Sequence, residues 1–250
     1  MPGLVIAIAL GLLVGSFLNV VIARLPDGRS LWGPRSACPA CAAPIAWYDN
    51  VPVLSYLALR ARCRACAAPI SARYPLVEIA TAALFAAAWL RFGATPQSAV
   101  AALLLAALVA ITVIDLDHQI IPDAITLPGI VAGLLANLAV PGGSWVSALI
   151  GMAIGGGLFL VIILVSGGGM GGGDMKLGAM LGAFLGWQLT LVAIFLAIVV
   201  GGVAGVALLA ARRKGRKDAI PFGPFLAAGG VAALFCGERL VTWYWDAFNV

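Results

Sequence analysis

The sequence predicts an all-α polytopic membrane protein of about eight transmembrane helices, with a small cytoplasmic zinc-binding domain after the first helix. Three observations predict it. The chain of 250 residues is 63% hydrophobic and 10% charged, against about 25% charged in an ordinary soluble domain, and its mean hydropathy is +1.08. Apolar runs near the length needed to cross a bilayer recur from end to end. Two Cys-x-x-Cys pairs sit in the polar stretch that follows the first run.

In chain order the expected spans are 3–23, 75–91, 97–114, 124–140, 145–165, 177–187, 189–211 and 220–236. The first lacks the basic flank and small-residue cleavage site of a secretory signal peptide, and Arg24 follows it directly. It reads as a retained helix with its N-terminus outside the cytoplasm. The sixth run is short, and charge decides whether to count it. Segment 24–74 carries seven arginines against Asp27 and Asp49, and 212–218 reads Arg-Arg-Lys-Gly-Arg-Lys-Asp. The positive-inside rule places both basic stretches in the cytoplasm, which requires an even number of crossings between them. Eight spans satisfy this and seven do not. The expected division is therefore 1–23, first helix; 24–74, cysteine domain; 75–250, transmembrane domain.

Small residues recur at four-residue spacing, at Gly11 and Gly15, Gly151 and Gly155, Gly178 with Gly182 and Gly186, and Gly201 and Gly205. In lipid such stripes let helix backbones approach closely. The net charge of +5 lies in loops between apolar runs, where it sets topology and meets anionic headgroups. The expected partner is the bilayer, and no nucleic acid is implied.

Cys38-Pro-Ala-Cys41 and Cys63-Arg-Ala-Cys66 offer four thiolates at a spacing suited to one closed tetrahedral zinc site. Reducing conditions on the cytoplasmic side disfavour disulfides. A segment of about 50 residues builds little core alone, so a metal staple makes physical sense. A redox pair or plain buried cysteines are the alternatives. Cys236, in the last run, reads as a packing residue.

The chemistry concentrates in two acidic stretches at the ends of apolar runs. One is Ile114-Asp115-Leu116-Asp117-His118-Gln119-Ile120-Ile121-Pro122-Asp123; the other is Gly169-Met170-Gly171-Gly172-Gly173-Asp174-Met175-Lys176. Under the eight-span topology both face the cytoplasm. A carboxylate at a membrane boundary is costly unless paired, hydrated or used. Two carboxylates in one site share a proton, so one acts as base while the other acts as acid, without metal or histidine. At about 100° per helical residue, Asp115 and Asp117 point some 200° apart, so only one of them faces Asp174. Asp115 lies nearer the apolar run and is the expected partner. Asp117 is left as a supporting acid or solvated charge. Asp123 reads as a helix N-cap or a supporting acid. Gly171, Gly172 and Gly173 are expected as an open backbone against which a substrate segment pairs, or as a flexible linker ending in an N-cap Asp174. Lys176 is expected to reach headgroups.

Other chemistries fit less well. The single His118 excludes the HExxH zincin pattern. A serine–histidine protease built on Ser166 and His118 leaves the acids unexplained. The glycine run 167–173 lacks the strand–loop–helix context of a dinucleotide site. An ion-coupled transporter would place its acids at the bilayer midplane rather than at span ends.

These residues give the chain a resemblance to the type IV prepilin peptidases, the bacterial leader peptidase/N-methyltransferases. It is carried in order by Gly11-Leu-Leu-Val-Gly-Ser-Phe-Leu-Asn-Val20, Arg24-Leu-Pro26, both cysteine pairs, Asn50-Val-Pro-Val-Leu-Ser-Tyr56, Arg73-Tyr-Pro-Leu-Val-Glu78, the two acidic stretches and Ile220-Pro-Phe-Gly-Pro224. The resemblance implies a multi-pass enzyme of the bacterial inner membrane with its active site facing the cytoplasm. It implies cleavage of the basic leader of type IV prepilins or type II secretion pseudopilins after a glycine. It also implies methylation of the new N-terminal amine from S-adenosylmethionine. The family's catalytic aspartates match Asp115 and Asp174, and its zinc ligands match Cys38, Cys41, Cys63 and Cys66. Glu78 matches a family position, as a charge partner for an arginine or an aid to methyl transfer. The arginines of 24–74 are expected at lipid headgroups. A peptidase without methyltransferase activity is the alternative.

Overall fold

The computed structural model describes residues 1–167, 170–211 and 220–248. The basic cluster 212–218, on which the charge argument leaned, and Gly169 lie outside the described residues. The chain forms two compact units, Met1–Ala110 and Ile111–Val250.

In the first unit, α1 (Pro2–Arg24) packs against α3 (Arg73–Phe92). The small-residue stripe of α1 makes this possible. A Cβ on Gly11 would sit 2.5 Å from Ala82 Cα, and one on Gly15 would sit 2.7 Å from Glu78 Cα. The other face of α1 shows Val5, Ile6, Leu10, Leu13 and Phe17 to the surroundings, as a lipid-facing helix must. Between these helices lie a 3₁₀ turn, Trp47–Asn50, the short α2 (Leu54–Ala58) and two cysteine turns.

The cysteine turns are copies of one another. Cys38 N–H donates to Ala43 O at 2.9 Å, Ala42 N–H to Cys38 O at 2.9 Å and Ile45 N–H to Ser36 O at 2.8 Å. The same three bonds recur as Cys63 to Ala68 at 2.8 Å, Ala67 to Cys63 at 2.9 Å and Ile70 to Ala61 at 2.7 Å. Ala42 and Ala67 take the same left-handed conformation, at φ 57 and 58. The short repeat Cys-x-Ala-Cys-Ala-Ala-Pro-Ile underlies this, and the sequence reading passed over it. Two of the arginines brace backbone and neighbours within this segment. Arg24 donates to Ser30 O at 3.1 Å and Pro34 O at 2.6 Å. Arg64 grips Asp49 with two bonds, at 2.8 and 2.6 Å.

The long α4 (Pro96–His118) runs from the first unit into the second and buries Leu104, Leu105, Leu108, Ile111 and Ile114. In the second unit, α5 (Asp123–Ala139), α6 (Trp145–Val165) and α8 (Gly223–Phe248) all pack on α7 (Gly172–Ala210). Gly186 interrupts α7 with φ 75 and ψ 174. The two arms it separates lie side by side. A Cβ on Gly155 of α6 would strike Gly178 on the first arm and come 3.3 Å from Thr190 Cγ2 on the second. Asn137 of α5 donates across to Ala183 O, on the first arm, at 2.9 Å.

The expected count of eight spans is corrected. Among the described residues, six helices are long and apolar enough to cross a membrane. The run 124–140 yields only the 17 residues of α5. The runs 177–187 and 189–211 belong to one element of 39 residues bent at Gly186. The all-α polytopic class holds.

Candidate active site

Three helix ends converge in the second unit. The last turn of α4 carries Asp115, Asp117 and His118, so these residues are helical rather than part of a loop. The 200° separation has its expected result: Asp115 is only 4% exposed, while Asp117 and His118 are exposed. The chain leaves α4 through Gln119 at φ 55, whose N–H donates to Asp115 O at 2.9 Å. It passes Ile121 and enters α5 at Asp123.

The second acid sits on the first turn of α7. The helix begins at Gly172, and Asp174 N–H donates to Gly171 O at 3.2 Å. Gly172 and Gly173 are therefore helical, which corrects the expected open substrate loop; only Gly171 of the three precedes the helix. In lipid a backbone closes its own hydrogen bonds wherever it can. Gly173 is needed for close approach instead: a Cβ there would sit 2.8 Å from Ile121 Cβ. Asp174 is 9% exposed, its Oδ1 is buried with no hydrogen-bond partner among the described residues, and its carboxyl feels the charge of Asp115.

The third end is the start of α8, where Gly223 N–H donates to Asp115 Oδ2 at 2.9 Å. The opening N–H groups of a helix have no partner within it, so this donor is free to serve a carboxylate. Sequence reasoning quoted Ile220-Pro-Phe-Gly-Pro224 without a role for it, and Ile121 went unremarked.

Asp123 and Lys176 pair with each other. Lys176 Nζ donates to both carboxylate oxygens of Asp123 at 2.6 Å. The N-cap of α5 is Pro122, with Asp123 the first helical residue, one position later than the capping expectation. The pair ties the start of α5 to the turn that holds Asp174. Ser166 donates to Ile163 O at 3.3 Å, a local turn bond.

A buried carboxylate pair with one unsatisfied oxygen, at the ends of three apolar helices, suits general acid–base hydrolysis. Comparison with known proteins agrees. Residues 9–92 match the bacterial peptidase A24 N-terminal domain, and residues 102–206 match the type IV leader peptidase family. A prepilin leader peptidase/N-methyltransferase of Burkholderia pseudomallei (strain K96243) is 44% identical over 265 residues, covering 94% of this chain and 85% of the relative.

The chain belongs to the type IV leader peptidase family.

Relatives of the same description in Pseudomonas aeruginosa and Aeromonas hydrophila are 41% and 40% identical. They cover 95% of this chain, and 91% and 92% of their own lengths are spanned. No solved structure matches the chain.

The first unit of this leader peptidase family member holds a second cluster. The Sγ atoms of Cys38, Cys41, Cys63 and Cys66 lie within 4.8 Å of one another. Cys38 Sγ and Cys66 Sγ are 3.8 Å apart. A tetrahedral site with metal–sulfur bonds of about 2.3 Å has sulfur–sulfur edges of about 3.8 Å, so the donor set fits a zinc-sized ion. Backbone N–H groups of Ala40 and Cys41 bring the Cys38 thiol down to about 7. The Ala68 N–H favours the Cys66 thiolate, but the Cys41 thiol, burial and the other two thiols outweigh it and push Cys66 up to about 12.

Glu78, 7% exposed, accepts from Val53 N–H at 2.8 Å and bonds Ser16. It is a backbone anchor, which corrects the arginine partnership. Val53 has φ 60, unusual for a β-branched residue, and the carboxylate holds it there. Nearby, Asn19 donates to Tyr74 O at 3.1 Å. The motifs at 11–20, 50–56 and 73–78 thus meet in one polar joint.

Proposed function

We propose that this protein cleaves the basic leader from type IV prepilins or type II secretion pseudopilins after a glycine, at the cytoplasmic face of the inner membrane, and then N-methylates the new terminus. Asp115 and Asp174 form the catalytic dyad. The observation that carries this reading is the buried meeting of these two acids in a member of this family. Water adds to the scissile carbonyl carbon as one aspartate takes its proton and the other protonates the carbonyl oxygen. The tetrahedral intermediate then collapses: the C–N bond breaks, the base returns its proton to the leaving amine, and the hydroxyl proton returns to the acid.

Topology supports access from the cytoplasm. A straight helix of 39 residues would be about 58 Å long at 1.5 Å per residue, far more than the roughly 30 Å hydrocarbon core. Its start carries Asp174, and α8, which begins a short connection after its end, meets Asp115. A chain segment of about a dozen residues spans at most ~43 Å, so the two arms of α7 must double back at Gly186. Doubled back, α7 ends on the side where it began with Asp174, and the basic stretch 212–218 that follows it in sequence reads as cytoplasmic by the positive-inside rule.

The cysteine cluster is read as a structural zinc site in the 24–74 domain, with the metal fastening the two turns together. S-adenosylmethionine is the expected methyl donor. An open surface hollow beside the first cysteine turn, lined by Arg35, Ser36, Ile45, Trp47 and Asn50, offers an aromatic face, a cation and an amide. The residues 75–250 would carry the peptidase.

The test is the purified protein reconstituted in lipid with a prepilin. Leader cleavage, followed by a mass increase of one methyl group on the mature product, is the expected outcome. Cleavage without added mass would leave a peptidase alone. Ion flux without cleavage would favour the transporter reading.

A further inference from the structure

The hydrogen bond from α8 to Asp115 makes the two aspartates unequal. Asp115 Oδ2 receives the Gly223 N–H at 2.9 Å; Asp174 Oδ1 is buried and has no donor among the described residues. An N–H donor is of use to a carboxylate oxygen that accepts, and a buried oxygen without a donor is tolerable only when the group is not carrying the charge. We infer that the Gly223 N–H is a positioning element of the active site, holding Asp115 as the carboxylate that takes the proton from water and leaving Asp174 as the acid. The inference rests on the dyad reading above and assigns its two roles.

The geometry explains why position 223 is glycine. A Cβ there would lie 2.5 Å from Asp115 Oδ2, 3.1 Å from its Cγ and 3.2 Å from Ile121 Cδ1. Any side chain would force the carboxylate or the helix end aside and break the bond. Ile121 also meets Gly173, beside Asp174, so it sits as an apolar spacer between the two helix starts. The α8 N-terminus competes for no other role: Phe225 and Leu226 N–H groups both turn back to Phe222 O, and Pro224 has no N–H to give. In the reaction, Asp115 takes one proton from water as the oxygen bonds to the carbonyl carbon, and Asp174 passes its proton to the carbonyl oxygen. On collapse the C–N bond breaks, Asp115 gives its proton to the departing amine, and Asp174 takes one from a hydroxyl as the carbonyl reforms, so the pair returns to its starting state.

The experiment compares full-length Gly223→Ala with wild type in lipid on a purified prepilin. The expected result is a fall in kcat on the order of 100-fold, the scale of a positioned acid–base group, with KM within about twofold and an unchanged thermal unfolding midpoint. Adding Ile121→Ala removes the apolar contact while leaving the clash with Asp115, so it should not restore kcat. Unchanged kcat, a rise in KM alone, or rescue by Ile121→Ala would overturn the proposal. Infrared spectroscopy provides a readout that does not depend on Gly223 variants. The protonated-carboxyl band should persist in Asp115→Asn and vanish in Asp174→Asn; the opposite pattern overturns the assignment. If both Asn variants cleave normally, the dyad itself falls; if both are inactive but Gly223→Ala is not, only this inference falls.

Discussion

Replacing Asn137 tests what holds the break in α7. In an unbroken helix the Trp187 N–H would close on Ala183 O. Here Gly186 leaves the helical conformation, and the Trp187 N–H turns to Ser147 Oγ at 3.4 Å. The Asn137 amide donates to Ala183 O at 2.9 Å and, more weakly, to Phe184 O at 3.4 Å, while also bonding Gly133 O on its own helix at 3.0 Å. It thus serves the carbonyls beside the break. Interhelical side-chain hydrogen bonds in membranes average about 0.6 kcal/mol and reach about 1.7. With one good bond and one long one lost, Asn137→Ala should cost about 1–2 kcal/mol. The assay is reversible unfolding in mixed micelles with increasing denaturing detergent. Leu138→Ala is the control, since Leu138 is 67% exposed and should cost little. An Asn137→Ala protein as stable as wild type, or a Leu138→Ala protein destabilised as much, would refute the reasoning.

The remaining predictions concern the first unit. Cys63→Ala should abolish binding of about one zinc per chain while leader cleavage survives, read by metal analysis and peptidase assay on one preparation. Glu78→Ala should strand the Val53 N–H and destabilise by about 1–3 kcal/mol, exposing segment 24–72 to limited proteolysis; Glu78→Gln keeps an acceptor and should be milder. The Arg64 guanidinium, by its hydrogen bonds and then its charge, holds the Asp49 carboxyl below the usual carboxylate range. A group with a lowered folded value stabilises above its unfolded value and loses that contribution as pH falls through the folded one. The stability gap between wild type and Asp49→Asn, followed by Trp47 fluorescence, should therefore be full near neutral pH and shrink below the ordinary carboxylate range.

Much of this architecture is written in local pattern. Apolar runs of bilayer length mark α1, α3, α4, α6 and α8 because each must cover its own backbone in lipid. Asp115 could be told from Asp117 because helical rotation alone separates their faces. The cysteine quartet was legible from spacing, since four ligands must reach one centre. What escaped was set by distant contacts. Gly178, Gly182 and Gly186 look alike in sequence; that the first two permit packing on α6 while the third turns the chain depends on α6 and α5. The glycines before Asp174 suggested an open backbone, yet helix formation satisfies the groups an open loop would strand. The arginines of 24–74 suggested headgroups, but Arg64 finds Asp49 only once the turns fold. Nothing near Gly223 announces a carboxylate 108 residues away.

The central claim is that Asp115 and Asp174 act together on the leader bond. Its most direct test measures leader cleavage of a purified prepilin by Asp115→Asn and Asp174→Asn proteins inserted in lipid, each also supplied with already cleaved pilin and methyl donor. The account predicts no leader cleavage by either variant while methylation of the cleaved pilin proceeds. Cleavage at the wild-type rate by either variant would contradict it.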